Sequence, residues 1–368
     1  MSYTEFGKLS EAQVKVWAKD LWLTAKHNSF VNRFMGTDQG SMIQVVKELT
    51  KTSKGDKAII QLVGDLQEDG VVGDNESEGN EEAMQAHVQE IKLDMISHAV
   101  INKGKLSDQR STINFRSTGK NSLAEWLSQR IDELAMLTAA GISYEYKTNG
   151  AKRSSNSQFP VLEFATDVKA PTSERGLMWT GAGLDYSSTA NITNAFVPKY
   201  NMIVDLVTRA KEQRIRALRS GGKDYYVVLV APGTLGALKK DPDYKDALVA
   251  LASRDGQNSP WFTGATVTMD GAVIHEHSDV FNTKGAAAGA KWGAGGNVNG
   301  TRTMLCGAQA LAMLDLGLPD WNEKSFNYGK RHGINVDKFL GLLKPQFESA
   351  VTGAVEDHAI LTCDHYLA

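Results

Sequence analysis

The chain has 368 residues, which is enough to bury a substantial core in one large domain or in two or three smaller ones. Its 42% hydrophobic and 23% charged residues are typical of a globular protein and unlike the composition of a disordered chain. Lys and Arg total 40 against 43 Asp and Glu, a formal net charge of −3, so no global basic field draws the molecule onto nucleic acid.

The sequence carries no targeting or membrane signal that we recognise. Its opening residues, MSYTEFGKLSEAQ, lack the basic start and apolar run of a signal peptide, and no later stretch approaches the roughly 20 apolar residues that cross a bilayer. Cys306 and Cys363 form no CxxC motif, which favours buried thiols in a reducing compartment and leaves a disulfide as the alternative. We therefore expect a protein of cytoplasmic origin that binds no membrane.

The first predicted element is an amphipathic helix over residues 10–27. A capping box and apolar residues at helical spacing indicate it: Ser10, Gln13, Val14, Trp17 and Leu21. The helix carries two tryptophans, Trp17 and Trp22, which we take as candidate contact residues.

Next, the sequence predicts a strand, an acidic segment and a returning strand. Residues 57–63 are short, β-branched and bounded by glycines, and residues 87–102 alternate in part between apolar and polar. The segment between them has no lysine or arginine and eight acidic residues: Asp65, Glu68, Asp69, Asp74, Glu76, Glu78, Glu81 and Glu82. Because such a segment cannot pack in a core and long loops are usually functional or disordered, we predict a projecting hairpin whose acidic residues are candidate contacts.

A second helix is predicted before Gly141, which stands where a left-handed C-cap belongs. Ser122 and Glu125 suggest its capping box, and its apolar stripe comprises Leu123, Leu127, Ile131 and Leu134. Residues 142–200 carry few periodic signals and are expected to be irregular.

The second half of the chain mixes helices and strands, which predicts an α+β fold. Helices are predicted at 202–218, 234–240 and 243–253, and strands at 225–230, 265–269, 272–277, 303–314, 338–347 and 359–366. The Gly- and Ala-rich residues 285–300 are expected to form an exposed loop.

The motifs that usually mark catalysis are absent, including the phosphate-binding loop, the nucleophile elbow and the zinc-protease helix. His275, His277 and Asp279 could offer two imidazoles and a carboxylate to a metal, but exposed polar residues at a sheet edge are the favoured interpretation. The acidic segment does not follow the order of a calcium-binding loop, and the residues around Cys363 would point in alternate directions on a strand. We predict no enzyme, no cofactor and no metal.

Several short motifs follow one another between residues 30 and 365. They are Gly55-Asp56-Lys57, Glu78-Gly79-Asn80-Glu81-Glu82, His98-Ala99-Val100, residues 104–110, Trp126 with Arg130-Ile131-Asp132, residues 305–311, Phe326-Asn327-Tyr328-Gly329 and residues 341–347. No single motif is as specific as a catalytic one, but their order is hard to obtain by chance. Together they resemble the major capsid proteins of tailed phages that have the Hong Kong 97 type fold.

The resemblance implies a structural subunit that forms hexamers and pentamers in an icosahedral shell around double-stranded DNA. It implies a place in the virion, assembly in the host cytoplasm, and scaffolding, portal or decoration proteins as partners. The implied regions are an N-terminal arm (1–54), an extended loop (55–105), a spine helix (106–141), a peripheral domain (142–200 with 321–368) and an axial domain (201–320). The alternatives are an encapsulin-type compartment subunit and, less favoured, an enzyme without a recognisable motif.

Two charged segments bear on how such subunits would meet. Some relatives crosslink through a lysine of the extended loop, and because residues 65–82 contain no lysine we expect noncovalent assembly. A basic run comprises Arg209, Lys211, Arg214, Arg216 and Arg219, with Glu212 as the acid among them. A solvated helix surface is the default interpretation of this run. In the alternative, Arg209, Arg214 and Arg216 contact an acidic partner, either another subunit's acidic segment or packaged DNA.

Overall fold

The computed structural model describes residues 11–47, 55, 57–63, 70–73, 78–79, 81, 86–110, 114–220, 222–247, 267–269, 271–349 and 352–367. Its α-helices are α1 (Glu11–Asn28), α2 (Lys105–Gln109), α3 (Phe115–Ala140), α4 (Tyr200–Glu212) and α5 (Pro232–Leu238), and residues 242–247 are also helical. None of the described helices is long and apolar enough to span a membrane.

The strands form two large sheets and two small hairpins. They are β1 (Met35–Gly36), β2 (Ile43–Val46), β3 (Lys57–Val63), β4 (Ala86–Lys92), β5 (Asp94–Ile101), β6 (Gly176–Trp179), β7 (Leu184–Tyr186), β8 (Leu218–Ser220), β9 (Lys223–Val230), β10 (Val267–Met269), β11 (Ala272–Glu276), β12 (Gly300–Cys306), β13 (Leu311–Asp315), β14 (Asp320–Phe326), β15 (Arg331–Leu343), β16 (Gln346–Glu348), β17 (Val355–Asp357) and β18 (Ile360–Tyr366). These elements confirm the α+β prediction.

The larger sheet has the order β10-β11-β9-β12-β18-β6-β7, with β8 paired to β9. The other large sheet has the order β1-β2-β13-β15-β14, and β5 also pairs with β15. The remaining pairs, β3 with β4 and β16 with β17, are two-stranded. Cys306 and Cys363, both in the larger sheet, are buried free thiols. This confirms the favoured prediction over a disulfide.

Helix α3 is the central element, because every residue from Ile131 to Ala140 is buried. The Asn114 side chain accepts a hydrogen bond from the Ser117 backbone N–H (3.2 Å) at its N-terminus. The capping box predicted at Ser122 is therefore wrong, since the helix begins earlier. Gly141, with φ 66°, closes the helix in the left-handed conformation, which confirms the predicted C-cap.

Three further predicted elements have different boundaries. The returning strand over 87–102 is two strands, since β4 pairs with β3 and β5 pairs with β15. The strand over 303–314 is likewise β12 and β13, separated by a turn in which Gln309 has φ 57°. The helix predicted over 202–218 ends at Glu212. In each case a tertiary partner or turn geometry breaks a pattern that looks continuous in the sequence.

The segment after α1 is hydrogen-bonded to one buried carboxyl group of α3. Asp132 accepts hydrogen bonds from the Ser29 hydroxyl (2.6 Å), the Phe30 N–H (2.9 Å) and the Val31 N–H (3.1 Å). Three donors on one buried carboxyl group make a strong anchor, and this anchor fixes where α1 lies on the body.

Arg302 joins α3 to the larger sheet. Its Nε and Nη2 donate to the two Asp364 oxygens (2.7 and 2.8 Å), and its Nη1 donates to the Ala140 carbonyl (2.8 Å) at the end of α3. Burial opposes the charge, yet the Asp364 carboxylate raises the pKa of Arg302 above its ordinary value. The pair also lies directly across the β12–β18 ladder, so this guanidinium holds three elements together.

We expect Arg302→Met to lower the free energy of unfolding by about 3–5 kcal/mol, because it leaves the Asp364 carboxylate buried without its partner. Urea denaturation of the isolated subunit measures this. The matched control is Arg219→Ala, which breaks an exposed pair with Asp224 (2.8 Å) and should leave the midpoint unchanged. Equal midpoints for the two variants would contradict the role given to Arg302.

His365 on β18 is fully buried and held in its neutral form. Its Nε2 lies 2.9 Å from the Thr303 hydroxyl, and its Nδ1 lies 2.9 Å from the Tyr366 carbonyl. Because a carbonyl can only accept, Nδ1 carries the proton and Nε2 accepts from the hydroxyl. Burial lowers the pKa of His365 from 6.5 to about 4.

This lowered pKa predicts a loss of stability in acid. Between about pH 6.5 and pH 4 the unfolded chain binds a proton at His365 that the folded chain does not, so the free energy of unfolding falls by roughly 3 kcal/mol over that range. Urea denaturation at pH 7 and pH 4.5 should show a smaller loss for His365→Asn than for the wild type. The expectation is wrong if both proteins lose the same amount.

Candidate intersubunit surfaces

The predicted hairpin exists, and its base belongs to the body of its own subunit. Strands β3 and β4 are paired from Lys57 opposite Lys92 to Val63 opposite Ala86. On one face, Ala58, Ile60 and Ile91 of the hairpin are buried against the sheet of β2, β13 and β15. The sheet contributes four buried residues to this cluster: Val46, Ala312, Leu314 and Leu343. The opposite face exposes Ile59 (42%) and Val88 (55%).

Strand β4 is further fixed along β15 and β16. The Gln346 backbone N–H donates to Gln89 Oε1 (2.9 Å), and Gln89 Nε2 donates back to the Gln346 carbonyl. At Gly341 an added Cβ would lie 2.2 Å from the Lys92 carbonyl, so only glycine allows this close approach. The described part of the hairpin is therefore rigidly placed by its own chain.

Two of the eight acidic candidates, Glu78 and Glu81, lie among the described residues, and both are exposed. The Glu81 carboxylate accepts a hydrogen bond from the Gly79 N–H (2.8 Å). The other six lie outside the described residues: Asp65, Glu68, Asp69, Asp74, Glu76 and Glu82.

Both tryptophan candidates contact their own subunit. The Trp17 ring lies 5.7 Å from the Trp321 ring, and the Lys120 ammonium lies 5.4 Å from the Trp17 centroid. Trp22 is buried, and Lys338 Nζ lies 4.1 Å above it. A contact with another subunit stays a prediction for both, and Trp22 has little surface left for one.

The basic run is divided by the end of α4. Arg209 lies on the helix, where its Nη2 donates to Glu174 (2.9 Å). Arg214 and Arg216 follow the helix and are exposed. Arg219 lies on β8 and pairs with Asp224 (2.8 Å). The prediction that one helix carries the whole run is therefore wrong, and Arg214 and Arg216 remain as an exposed cationic pair that we call the arginine surface.

Arg214 occupies a position that usually belongs to glycine. Its φ is 52°, and it is the residue after the C-cap of α4. Its N–H donates to the Lys211 carbonyl (3.0 Å), while the Ile215 N–H donates to the Ala210 carbonyl (2.9 Å). These two bonds form a Schellman motif, in which a residue with a Cβ is strained.

Replacing Arg214 with glycine should therefore stabilise the isolated subunit by up to about 1 kcal/mol, since relief of the left-handed strain outweighs the added freedom of the unfolded chain. Thermal or urea denaturation measures the change. As a control, Arg216→Gly removes a neighbouring arginine outside the left-handed region and should give no gain. A destabilised Arg214→Gly subunit would show that the arginine side chain stabilises its own fold.

The proposed metal-binding histidines pack against aromatic rings. The His277 ring stacks on Phe30 (centroids 4.3 Å apart), and the His275 ring meets Phe34 edge-on at 5.0 Å. Both histidines are half-buried, so the expectation of exposed side chains at a sheet edge is wrong for them. Within the described parts of the chain, no group of three or more His, Cys, Asp or Glu residues could hold a metal ion.

Sequence analysis missed β14 and the first half of β15, since the strand predicted over 338–347 covers only the later residues of β15 and the start of β16. Strand β14 is polar along most of its length and lacks the apolar alternation that predicts a strand. The available signal was the Asn327-Tyr328-Gly329 turn, since asparagine and glycine favour positive φ.

Comparison with known proteins matches this chain along nearly its whole length. A family model described as phage capsid protein matches residues 5–368. The major capsid protein of Pseudomonas phage KPP25 is 47% identical over 365 residues, which cover 98% of this chain and 96% of that protein.

Solved capsid structures share the fold. The capsid of Ralstonia phage GP4 has a TM-score of 0.77 at 23% identity, and the match covers 92% of this chain and 91% of that chain. The capsid asymmetric unit of cyanophage Pam1 has a TM-score of 0.70 at 17% identity, and the match covers 100% of this chain and 97% of that chain. The capsid of Helicobacter pylori bacteriophage KHP30 has a TM-score of 0.62 at 14% identity, and the match covers 92% of this chain and 92% of that chain. These neighbours confirm the Hong Kong 97 type fold.

Proposed function

Because this chain belongs to the phage capsid protein family, we propose that its copies assemble, as hexamers and pentamers, into a closed icosahedral shell around double-stranded DNA. The chain is a structural capsid subunit, part of the virion and not an enzyme. One observation carries the proposal: 47% identity to a phage major capsid protein over 98% of the chain. The matched proteins give no support to a compartment shell or an enzyme.

We infer that the regions divide as the sequence predicted, with one adjustment. Helix α3 serves as the spine, and the β3–β4 hairpin serves as the extended loop. Strand β5 falls within the predicted loop (55–105) but pairs with β15, so we take the extended loop as residues 57–92. Assembly in the host cytoplasm, with scaffolding, portal or decoration proteins, completes the proposal.

The hairpin would form a large part of the contact between subunits. Its exposed face presents Ile59 and Val88 next to an acidic segment that cannot pack in a core. Apolar area and charge side by side suit an interface that buries a hydrophobic centre within a polar rim. Many such contacts strengthen one another in a shell, and the absence of lysine from residues 65–82 supports noncovalent assembly.

The arginine surface, Arg214 and Arg216, would contact an acidic partner. Its exposure and the strain accepted at Arg214 support a role outside the subunit. The candidates are a neighbouring subunit's acidic segment and the phosphates of packaged DNA.

Expression of the full chain, alone and with its neighbouring genes, tests the proposal. Negative-stain microscopy should show closed shells of uniform diameter, and denatured shells should contain only single-chain masses. In the variant Arg214→Glu with Arg216→Glu, shells should form less well if the arginines contact another subunit. If they contact DNA, shells should form normally but package less of it.

The outcomes separate the parts of the proposal. A protein that remains a monomer at every concentration, with or without its neighbours, is not a shell subunit. An isopeptide between subunits in denatured shells would disprove noncovalent assembly. Normal shells with normal DNA content in the double variant would leave the arginine surface as solvated charge.

A further inference from the structure

A fully buried ion pair joins the end of β15 to strand β17. Lys344 directly follows β15, and its Nζ lies 2.7 Å from Asp357 Oδ2, with neither side chain exposed. The pairing of β16 with β17 places Gln346 opposite Asp357 and so holds the two charged side chains together. An amine and a carboxyl group are thus in fixed contact and shielded from solvent.

The surroundings accommodate the Lys344 ammonium poorly. An ammonium carries three N–H donors, and among the residues that the structure describes its Nζ contacts one acceptor, Asp357 Oδ2. Burial lowers the pKa of Lys344 below its ordinary value, although Asp357 opposes the shift. The positive charges of Arg302 and Lys169 lower it further. The neutral amine, which is the nucleophilic form of a lysine, is therefore easier to reach here than on a surface.

A second buried lysine shows the opposite arrangement. Lys338 Nζ contacts Asp315 and the Gly317 carbonyl, and it lies 4.1 Å above the centre of the Trp22 ring. Two acceptors and an aromatic face stabilise this ammonium, so we expect Lys338 to stay charged. The Lys338 pair is therefore a matched control for the Lys344 pair.

The Asp357 carboxyl group is held as an electrophile. Gln346 Nε2 donates to its Oδ1 (2.8 Å), and the Thr172 N–H donates to its Oδ2 at a longer distance (3.4 Å). A donor fixed on a carboxyl oxygen stabilises the negative charge that develops there when a nucleophile attacks the carbon. Oδ1 is thus placed to become an amide oxygen, and Oδ2, which faces the amine, is placed to leave.

The contact favours reaction between the two groups. Reacting groups held in the right geometry behave as if their concentration were about 10⁵ M or more, whereas amines and carboxylic acids in dilute water scarcely condense. Condensation also removes two charges from a buried environment in which each is costly. The product amide has one N–H in place of the three donors of the ammonium, and its oxygen keeps the hydrogen bond from Gln346.

We propose that Lys344 and Asp357 condense to an isopeptide bond within the folded chain. A proton first passes from the ammonium to the carboxylate, which gives an amine and a carboxylic acid. The nitrogen lone pair then forms a bond to Cγ, and the bond from Cγ to Oδ2 breaks. Oδ2 leaves as water with the acid proton and one proton of the amine, so no oxidant, reductant or cofactor is consumed.

The bond closes a covalent ring through the β16–β17 hairpin. It lies within one chain, so the chains of a shell stay separate and assembly remains noncovalent. Both reacting groups belong to one subunit, and the bond therefore forms whether or not shells assemble. The inference is independent of the proposed function for this reason.

Mass spectrometry of the folded full chain, denatured for the measurement, tests the bond. The wild type should be lighter than its sequence mass by one water. A protease that cuts after glutamate cleaves at Glu348 and Glu356, which lie between Lys344 and Asp357. In the wild type the pieces that carry these two residues should stay joined after digestion.

Three variants make the test specific. Lys344→Met removes the nucleophile, so it should have its full sequence mass and release separate pieces. Lys338→Met, the matched control, should still lack one water. Gln346→Leu keeps both reacting groups but removes the donor to Oδ1, and it should slow the reaction about a hundredfold. Masses recorded at intervals after refolding give this rate.

Two results would overturn the inference: a folded wild type that has its full sequence mass and separates on digestion, or a loss of water that Lys344→Met retains. Circular dichroism checks the folding of each variant, and if Lys344→Met does not fold, digestion of the wild type decides alone. A chain that carries the bond but makes no shells removes the proposed function and leaves this inference standing.

Discussion

The buried contact between Arg302 and Asp364 is the constraint on which the rest of the structure depends. One guanidinium pairs with the neighbouring strand of the larger sheet and also donates to the last carbonyl of α3. The last ten residues of α3 are all buried, so the position of this helix determines how both sheets pack. The buried charge of Arg302 is tolerated because the Asp364 carboxylate stabilises its ionised form. Since the guanidinium must contact both Asp364 and the end of α3, the helix and the larger sheet can pack in only one arrangement.

The second large sheet positions the hairpin of β3 and β4 on this fixed body. The second large sheet packs on the same core and carries β15, which pairs with β14 and β13 and also with β5. Because β4 continues β5 along this strand, a hairpin that would be marginal alone in water has a base buried against its own subunit. The two faces of the hairpin thus have different roles. The inner face packs on its own subunit and stabilises it, and the outer face stays exposed for contact with other molecules.

Much of this could be predicted from sequence where local patterns are undisturbed. The strand over Lys57–Val63 and the glycine cap at Gly141 follow from composition and backbone preference, and both are confirmed. Prediction from local pattern fails where contacts with a distant part of the chain determine the boundaries of a strand. Nothing in residues 87–102 marks Leu93 as the point where one strand changes partners, and the polar β14 forms only because β15 lies beside it. The arginine surface was found by counting charges, but its division at Glu212 required the geometry of the helix end.

A contact between the extended loop of one copy and a different surface of the next has a consequence for symmetry. If the hairpin of β3 and β4 packs on a different surface of the next copy, the two surfaces of the contact differ, so the contact is heterologous and each copy offers one free surface of each kind. Such contacts extend until rotation closes a ring, and closed rings joined at their edges are what a shell needs. A self-complementary contact would instead stop at a dimer.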